Sequence, residues 1–228
     1  MTVKTIYTKS VLSKSNLPVC EYSVNPYVGC THGCKYCYAS FMKRFTGHAE
    51  PWGTFLDVKL WPEIKNPQRY AGKELFLGSV TDPYLPQEEQ YGRTRALLEQ
   101  LQGSGAKLSI ATKSDLILRD LDLIKTFPDA RVSWSVNTLD EVFKHDMDNA
   151  VSIARRLAAM EAFYRAGIVP VLVVELCIVI LTAGACKLAY QLYQSLPASA
   201  VQKKNTTEWA YAKQSYKKDT NRENKQEE

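Results

Sequence analysis

Residues 25–39 read NPYVGCTHGCKYCYA, and this stretch places three cysteines, Cys30, Cys34 and Cys37, within eight residues. Spacings of three and two intervening residues let one short loop turn its sulfurs towards a common centre, as a multinuclear metal site requires. Gly29 and Gly33 supply the backbone freedom that such a turn needs. A cubane iron–sulfur cluster normally takes four thiolates. A loop that offers three therefore leaves one iron open to bind another molecule.

A structural zinc site is the main alternative for these cysteines. The spacings permit one, with Cys20, His32 or His48 as the fourth ligand. However, no second cysteine pair follows at the distance typical of a zinc ribbon, so the iron–sulfur interpretation is favoured. The other cysteines, Cys20, Cys177 and Cys186, lie far apart in sequence and are predicted to be buried thiols.

Size and composition indicate a globular protein with one main domain. The chain has 228 residues, of which 45% are hydrophobic and 23% are charged, and it is long enough to bury a sizeable core. The formal net charge of +5, from 29 basic and 24 acidic side chains, allows a partner such as DNA but does not require one. Residues 1–18 contain no long apolar run, so we expect neither a signal peptide nor a membrane anchor. We therefore predict a cytoplasmic protein, where thiols stay reduced.

Strand and helix patterns alternate along the chain from the cysteine loop onwards. A short strand at 20–24 leads into the loop, and further strands are predicted at 74–79, 107–111, 131–136 and 168–174, with helices opening near Pro86 and spanning 116–127 and 153–166. Such alternation indicates βαβ units and a parallel sheet with right-handed crossovers. We therefore predict an α/β fold, a partial (β/α) barrel, whose functional groups lie on loops at the carboxyl ends of the strands.

The cysteine loop, with Tyr36 directly before the third cysteine, resembles the cluster motif of the radical S-adenosylmethionine (radical SAM) superfamily. The whole run NPYVGCTHGCKYCYA resembles the branch related to spore photoproduct lyase, as do GSVTDPYLPQE, ATKSDLILRDLDLI, WSVNTLDEV and ARRLAAMEAFYRAGI. The resemblance implies a [4Fe-4S] cluster on Cys30, Cys34 and Cys37, whose open iron is chelated by the amino and carboxylate groups of S-adenosylmethionine (SAM). It also implies reductive cleavage of SAM to methionine and a 5′-deoxyadenosyl radical, with electrons from a donor such as flavodoxin or ferredoxin. The substrate is not identified.

The same resemblance implies roles for residues on the predicted exit loops. Lys113 would pair with the SAM carboxylate, Ser135 and Asn137 would hydrogen-bond the ribose or carboxylate, Ser79 would line the same face, and Tyr36 and Tyr38 would flank the adenine. The alternatives are a solvated surface lysine at 113 and simple turn hydrogen bonds at 135 and 137.

Photoproduct lyase uses a cysteine near the end of its second strand as hydrogen donor, and the corresponding residues 76–82 of this chain contain none. The nearest other candidates are Tyr84 and Tyr91. The aromatic and basic stretch at 40–70 is predicted to cover the cysteine loop, with base stacking on nucleic acid as the alternative. A non-catalytic zinc or iron–sulfur binding module associated with nucleic acid is the alternative function.

The resemblance covers about residues 4–174 and then stops. Because residues 174–186 depart from the family pattern, we expect the carboxyl-terminal part of the barrel to be divergent or incomplete, with an amphipathic helix at 187–196. The apolar run at 168–186 is long enough to consider as a membrane span, but Pro170 and Glu175 argue against one. We predict a radical SAM domain at 1–200 and a polar, disordered tail at 201–228.

Overall fold

The computed structural model describes residues 1–173, and these form a mixed α/β fold, as predicted. The strands are β1 (Thr2–Tyr7), β2 (Leu12–Lys14), β3 (Tyr22–Val24), β4 (Tyr27–Val28), β5 (Phe55–Leu60), β6 (Glu74–Leu77), β7 (Lys107–Thr112), β8 (Ala130–Ser135) and β9 (Val169–Val173). The α-helices are α1 (Glu88–Tyr91), α2 (Arg93–Leu101), α3 (Leu121–Ile124), α4 (Glu141–Met147) and α5 (Ile153–Arg165). Three 3-10 segments span Tyr38–Phe45, Pro67–Tyr70 and Leu116–Asp120.

The main sheet has the order β2-β3-β6-β7-β8-β9. Strand β2 runs antiparallel to β3, and every later pairing in this sheet is parallel. The carboxyl ends of β3, β6, β7 and β8 therefore meet at one edge of the sheet, which is where a parallel barrel places its functional groups. This is the predicted partial (β/α) barrel.

Alternating burial explains how β7 and β8 are held in the sheet. Leu108 and Ile110 of β7 and Val132 and Trp134 of β8 point into the core, while their neighbours are more exposed. Helix α5 covers this core with Ala159 and Phe163, which lie four residues apart on one face of the helix, and the rings of Trp134 and Phe163 meet edge to face at 5.2 Å.

A second sheet, in the order β1-β5-β4, was not predicted from the sequence. Strands β1 and β5 are parallel, and β4 pairs antiparallel with β5 immediately before the cysteine loop. Strand β5 was not predicted because the polar residues Asp57 and Lys59 interrupt its apolar pattern. Asp57 is nevertheless buried because it bonds to His48, with Asp57 Oδ1 and His48 Nε2 2.9 Å apart.

Two helix predictions need correction. The single helix predicted at 116–127 is wrong, because the chain forms a 3-10 segment at Leu116–Asp120 and only one α-helical turn in α3. Helix α4 was missed, although its start has a clear signal: the Asp140 side chain accepts hydrogen bonds from the backbone N–H groups of Val142 and Phe143.

The predictions for 174–186, for a helix at 187–196 and for a tail at 201–228, as well as those for Cys177 and Cys186, lie outside the described residues. Within residues 1–173, no helix has both the length and the apolar character to cross a membrane.

Candidate cluster and cofactor site

The cysteine loop begins at a backbone position that only glycine fits. Gly29 has a φ of +88°, and a Cβ atom there would lie 2.5 Å from the carbonyl oxygen of Phe55 on β5. The Gly29 carbonyl accepts a hydrogen bond of 2.6 Å from Thr81 Oγ1, which follows β6. The second sheet and the β6 exit loop therefore fix the path of the chain just before Cys30.

The segment that follows α4 holds the cysteine loop from the other side. The backbone N–H of Lys35 donates to the Met147 carbonyl at 2.9 Å, and the N–H of Asn149 donates to the His32 carbonyl at 2.7 Å. Between these two contacts, Tyr36 Oη donates to Asp148 Oδ2 at 3.1 Å. No motif or periodic pattern in the sequence indicated a role for this segment.

Asp148 lies in a buried cluster of charges. Arg156 Nη2 donates to Asp148 Oδ1 at 2.7 Å, and Lys144 Nζ lies 3.3 Å from the same oxygen. Burial alone would raise the pKa of Asp148, but Arg156 and Lys144 outweigh it and lower the pKa. Arg156 Nη1 also donates to the Ser135 carbonyl at 3.0 Å. One guanidinium thus connects the end of β8 to the carboxylate that anchors Tyr36.

All three cysteines line one cavity of about 510 Å³ at the carboxyl ends of the parallel strands. Cys30 is 8% exposed, and Cys34 and Cys37 are half-buried. Five of the six residues predicted to bind SAM line the same cavity: Tyr36, Tyr38, Ser79, Lys113 and Ser135. The sixth, Asn137, is not among the lining residues, and both of its side-chain amide atoms are buried without a hydrogen-bond partner within residues 1–173.

Burial favours the protonated form of two of the three thiols, those of Cys30 and Cys34. Burial raises the pKa of the Cys30 thiol, and the nearby charge of Asp82 raises it further. Burial also raises the pKa of Cys34 to about 12, although the Lys113 ammonium opposes this shift. Because metals bind the thiolate, assembly of a metal site on this loop releases protons.

The carboxylate of Asp82 is the polar centre of the cavity wall. Its Oδ2 lies 3.0 Å from His32 Nε2 and accepts a hydrogen bond of 2.7 Å from the backbone N–H of Lys113. Its Oδ1 accepts bonds of 2.8 Å each from Tyr84 N and Thr112 Oγ1. Burial alone would raise the pKa of Asp82, but His32 and these N–H groups outweigh it and lower the pKa. Asp82 therefore joins the cysteine loop, the β6 exit loop and the end of β7.

Ser79 is bonded on both sides at the exit of β6. Its Oγ lies within hydrogen-bond distance of Ser23 Oγ and accepts from Asn25 Nδ2 at 2.9 Å. Asn25 Oδ1 in turn accepts from the backbone N–H of Val80 at 3.1 Å, and Tyr38 Oη donates to the Ser79 carbonyl. The exits of β3 and β6 are thereby locked together.

Lys113 lies at the end of β7, and its side chain faces the cysteine loop. Lys113 Nζ is 5.5 Å from the centre of the Tyr36 ring, a distance typical of a cation–π contact. The residue is half-buried and lines the cavity. This position agrees with the predicted interior role better than with the alternative of a solvated surface lysine.

Residues 24–182 match the family model described as the radical SAM superfamily, and this match spans more than half of the chain. The chain belongs to the radical SAM superfamily. An uncharacterized protein of Methanocaldococcus jannaschii, MJ0683, is 35% identical over 165 residues, which cover 72% of this chain and 62% of that protein. An uncharacterized protein of Mycobacterium tuberculosis, Rv2578c, is 30% identical over 186 residues, covering 74% of this chain and 54% of that protein. The chain thus spans little more than half the length of these relatives.

Solved structures of spore photoproduct lyase share the fold of this radical SAM protein. The enzyme complexed with dinucleoside spore photoproduct superposes with a TM-score of 0.61 at 18% identity, covering 90% of this chain and 59% of that chain. A mutant with bound AdoMet and dinucleoside spore photoproduct gives a TM-score of 0.59, also at 18% identity, covering 89% of this chain and 58% of that chain. At 18% sequence identity, this similarity establishes a shared fold and nothing about the reaction.

The side chains at this radical SAM site fit the two cofactors of the family. Three thiols share one cavity, which suits a cluster that takes three protein ligands and keeps one iron open. Within residues 1–173, no three His, Cys, Asp or Glu side chains are arranged to hold a single metal ion. Both histidines considered as fourth zinc ligands are bonded to carboxylates, His32 to Asp82 and His48 to Asp57 and Glu50.

The aromatic stretch at 40–70 divides between two environments. Trp52 and Phe55 pack behind the cysteine loop, and the Phe55 ring stacks on His48 at 4.0 Å. Phe41 and Phe45 are exposed, and the Arg44 guanidinium lies 4.6 Å from the centre of the Phe45 ring. Trp52 and Phe55 therefore contact the cysteine loop, as expected of residues predicted to cover it. Phe41 and Phe45 are exposed to solvent instead.

Neither tyrosine considered as a hydrogen donor lines the cavity. Tyr84 is fully buried in the main core, and Tyr91 packs with the smaller core behind Cys30. The residues that sequence reasoning missed are Asp82, Asp148 and Arg156. Asp82 lies in the run GSVTDPYLPQE, which resembles the family. It directly precedes Pro83 and follows a predicted buried strand, and this position could have marked it as a site residue.

Proposed function

We propose that this radical SAM protein binds a [4Fe-4S] cluster through Cys30, Cys34 and Cys37 and cleaves SAM reductively in the adjoining cavity. The observation that carries the proposal is that the three thiols line the same cavity as the polar residues at the ends of β6, β7 and β8. When bound, the cluster supplies the electron that cleaves the SAM sulfonium to methionine and a 5′-deoxyadenosyl radical, which then abstracts hydrogen from a substrate.

The chain's own residues bind and orient the cofactor in this proposal. Lys113 pairs with the SAM carboxylate through a charge-assisted hydrogen bond, and its contact with the Tyr36 ring restricts where the ammonium can lie. Ser135 lines the same cavity at the end of the neighbouring strand β8 and would hydrogen-bond the ribose. Tyr38, which is 71% exposed, would flank the adenine from the solvent side.

The protein also keeps water from the inner part of the site. Cys30 packs in a small apolar core with Tyr27, Leu56, Val58 and Leu85, so this core would shield a cluster from water on the side of Cys30. A dry surrounding protects reactive intermediates from side reactions and strengthens the electrostatic contacts around them. The outer cysteines, Cys34 and Cys37, are half-buried and lie nearer to the solvent, where an electron donor such as flavodoxin or ferredoxin would approach.

The electron donor and a cytoplasmic location belong to the proposal as well, whereas no substrate is proposed. A reducing compartment suits a site built from free thiols. A second candidate function, a metal-binding module associated with nucleic acid, is favoured only by the exposed rings of Phe41 and Phe45 beside Arg44, which offer stacking surfaces and a positive charge.

Iron and sulfide analysis after anaerobic reconstitution tests the proposal. The wild-type chain should bind about four irons, as a cubane requires, and turn brown, whereas alanine in place of Cys30, Cys34 or Cys37 should remove the chromophore. Cys20→Ala is the matched control, because this buried thiol lies outside the loop. A colourless zinc protein, or unchanged iron content in Cys34→Ala, would refute the assignment.

A further inference from the structure

The Tyr36 side chain is contacted at two points, its hydroxyl and its ring face. The hydroxyl donates to Asp148 Oδ2 at 3.1 Å, and the centre of the ring lies 5.5 Å from Lys113 Nζ. Tyr36 and Lys113 both line the cavity, whereas Asp148 is not among the lining residues. Asp148 therefore contacts a residue of the cavity wall without reaching the cavity itself.

The Asp148 carboxylate is held firmly in the interior. The residue is 3% exposed, and its Oδ1 accepts hydrogen bonds from Arg156 Nη2 at 2.7 Å and from the backbone N–H of Ala150 at 3.0 Å. Lys144 Nζ lies 3.3 Å from the same oxygen, and Arg156 in turn donates to the Ser135 carbonyl at 3.0 Å. Because a fully paired buried network is rigid, Oδ2 is a fixed point for the Tyr36 hydroxyl.

Lys113 gains from a fixed ring because its own side chain is long. The backbone N–H of Lys113 donates to Asp82 Oδ2 at 2.7 Å, which fixes where the side chain begins. The four-carbon stem stays flexible, so the position of the ammonium depends on what it contacts. The Tyr36 ring offers one such contact, at a distance where a cation is attracted to the ring face. A ring held by Asp148 therefore restricts the ammonium, and preorganised groups bind a ligand at a lower entropic cost.

We infer that Asp148 is a positioning residue for recognition of the SAM carboxylate, because it fixes the Tyr36 ring against which the Lys113 ammonium lies. The inference rests on the proposed function, in which Lys113 pairs with that carboxylate. Asp148 acts through Tyr36 and Lys113 and does not itself contact SAM. Tyr36 is also predicted to flank the adenine, so the test has to separate the two ends of SAM.

Two ligands make this separation. They are SAM and decarboxylated SAM, which keeps the adenine, the ribose and the amino group, and their affinities are measured by equilibrium dialysis against the full, reconstituted chain with a known iron content. Tyr36→Phe keeps the ring but removes the hydroxyl, so it should weaken SAM binding about threefold to tenfold, the loss typical of one hydrogen bond. Its affinity for decarboxylated SAM should not change. Tyr164→Phe is the matched control, because Tyr164 lies on helix α5 and does not line the cavity.

A second variant tests Asp148 itself, because the Tyr36 hydroxyl also interacts with the Cys34 thiol. Asp148→Ala should weaken SAM binding as much as Tyr36→Phe does, and the two changes together should cost no more than either one alone. Neither change should have a further effect in the Lys113→Ala background, which lacks the ammonium that they position. If Asp148→Ala does not fold, it is combined with Lys144→Met, which removes a neighbouring charge of the opposite sign.

Three results would overturn the inference: unchanged SAM affinity in Tyr36→Phe, equal weakening for SAM and for decarboxylated SAM, or a full additional loss when Tyr36→Phe is combined with Lys113→Ala. The second result would indicate a general role in the structure of the loop, and the third an effect that does not pass through Lys113. A wild-type chain that assembles no cluster, or that binds no SAM, would instead refute the proposed function.

Discussion

Asp82 Oδ2 accepts a hydrogen bond of 2.7 Å from the backbone N–H of Lys113, although the two residues are 31 positions apart. The same oxygen bonds His32 of the cysteine loop. The carboxylate therefore determines how the end of β7, which carries Lys113, lies relative to the loop that carries the three cysteines. Contacts between the exit loops, rather than any single loop, define the shape of the cavity.

Asp82→Asn is expected to loosen this connection. The amide retains the size of the carboxylate but offers only one acceptor oxygen in place of two, so one or more of the four donors loses its partner. Leaving a buried donor unpaired costs about 1–3 kcal/mol, and we expect the free energy of unfolding to fall by that amount. Urea denaturation of the full chain measures it. An unchanged free energy of unfolding would show that Asp82 does not anchor the site.

Lys113→Ala should weaken SAM binding and leave the cluster in place. Losing a charge-assisted hydrogen bond typically costs about 1.5–3 kcal/mol, or roughly tenfold to a hundredfold in affinity. The matched control is Lys125→Ala, because Lys125 is an exposed lysine that does not line the cavity. Equilibrium binding of SAM to both reconstituted variants measures the difference. Equal affinities would return Lys113 to the role of a surface lysine.

Two adjacent arginines offer a direct comparison of buried and exposed ion pairs. Arg156 is fully buried and bonds Asp148, so Arg156→Met should cost about 3–5 kcal/mol of unfolding free energy by leaving that carboxylate short of a partner. Arg155 is 62% exposed and bonds Asp115, so Arg155→Met should cost less than about 1 kcal/mol. Urea denaturation of both variants measures the costs, and similar values for the two would contradict the structural role given to Arg156.

The fold could be predicted from the sequence because its signals are local. Buried strands, amphipathic α5 and the cysteine spacing each occupy a few consecutive residues, and the α/β prediction is confirmed. The contacts that shape the site are not local. His32 and Asp82 are 50 positions apart, and Tyr36 and Asp148 are 112 apart. Nothing in the neighbourhood of Asp148 indicates a partner so distant, so the buried charges behind the cavity could not be foreseen.

The short elements were missed or misjudged for a related reason. Strand β4 has two residues and β5 contains Asp57 and Lys59, so neither produces a periodic pattern. Both are strands because they pair with each other next to the cysteine loop. The roles of Tyr36, Tyr38, Ser79, Lys113 and Ser135 in binding SAM stay predictions, as does that of Asn137, which does not line the cavity.

Repair of the spore thymine photoproduct is expected to be inefficient. The exit of β6 offers Ser79 in place of a thiol, and a serine hydroxyl is a much poorer donor of hydrogen atoms than a thiol. The Ser79 hydroxyl is moreover engaged with Ser23 and Asn25, and Tyr84 and Tyr91 lie outside the cavity lining. Incubation of the reduced, reconstituted protein with a lesion-bearing oligonucleotide measures repair. Multiple turnovers would contradict the expectation, and Ser79→Cys shows whether a thiol at this position is enough to increase the rate.

Formation of 5′-deoxyadenosine tests the central claim most directly. The reconstituted wild-type chain is incubated anaerobically with SAM and dithionite, and the products are separated by chromatography. We predict equal amounts of 5′-deoxyadenosine and methionine, formed only when reductant is present, and neither product from Cys34→Ala treated in the same way. A reduced wild-type protein that carries a full cluster and binds SAM, yet forms no 5′-deoxyadenosine, would contradict the account.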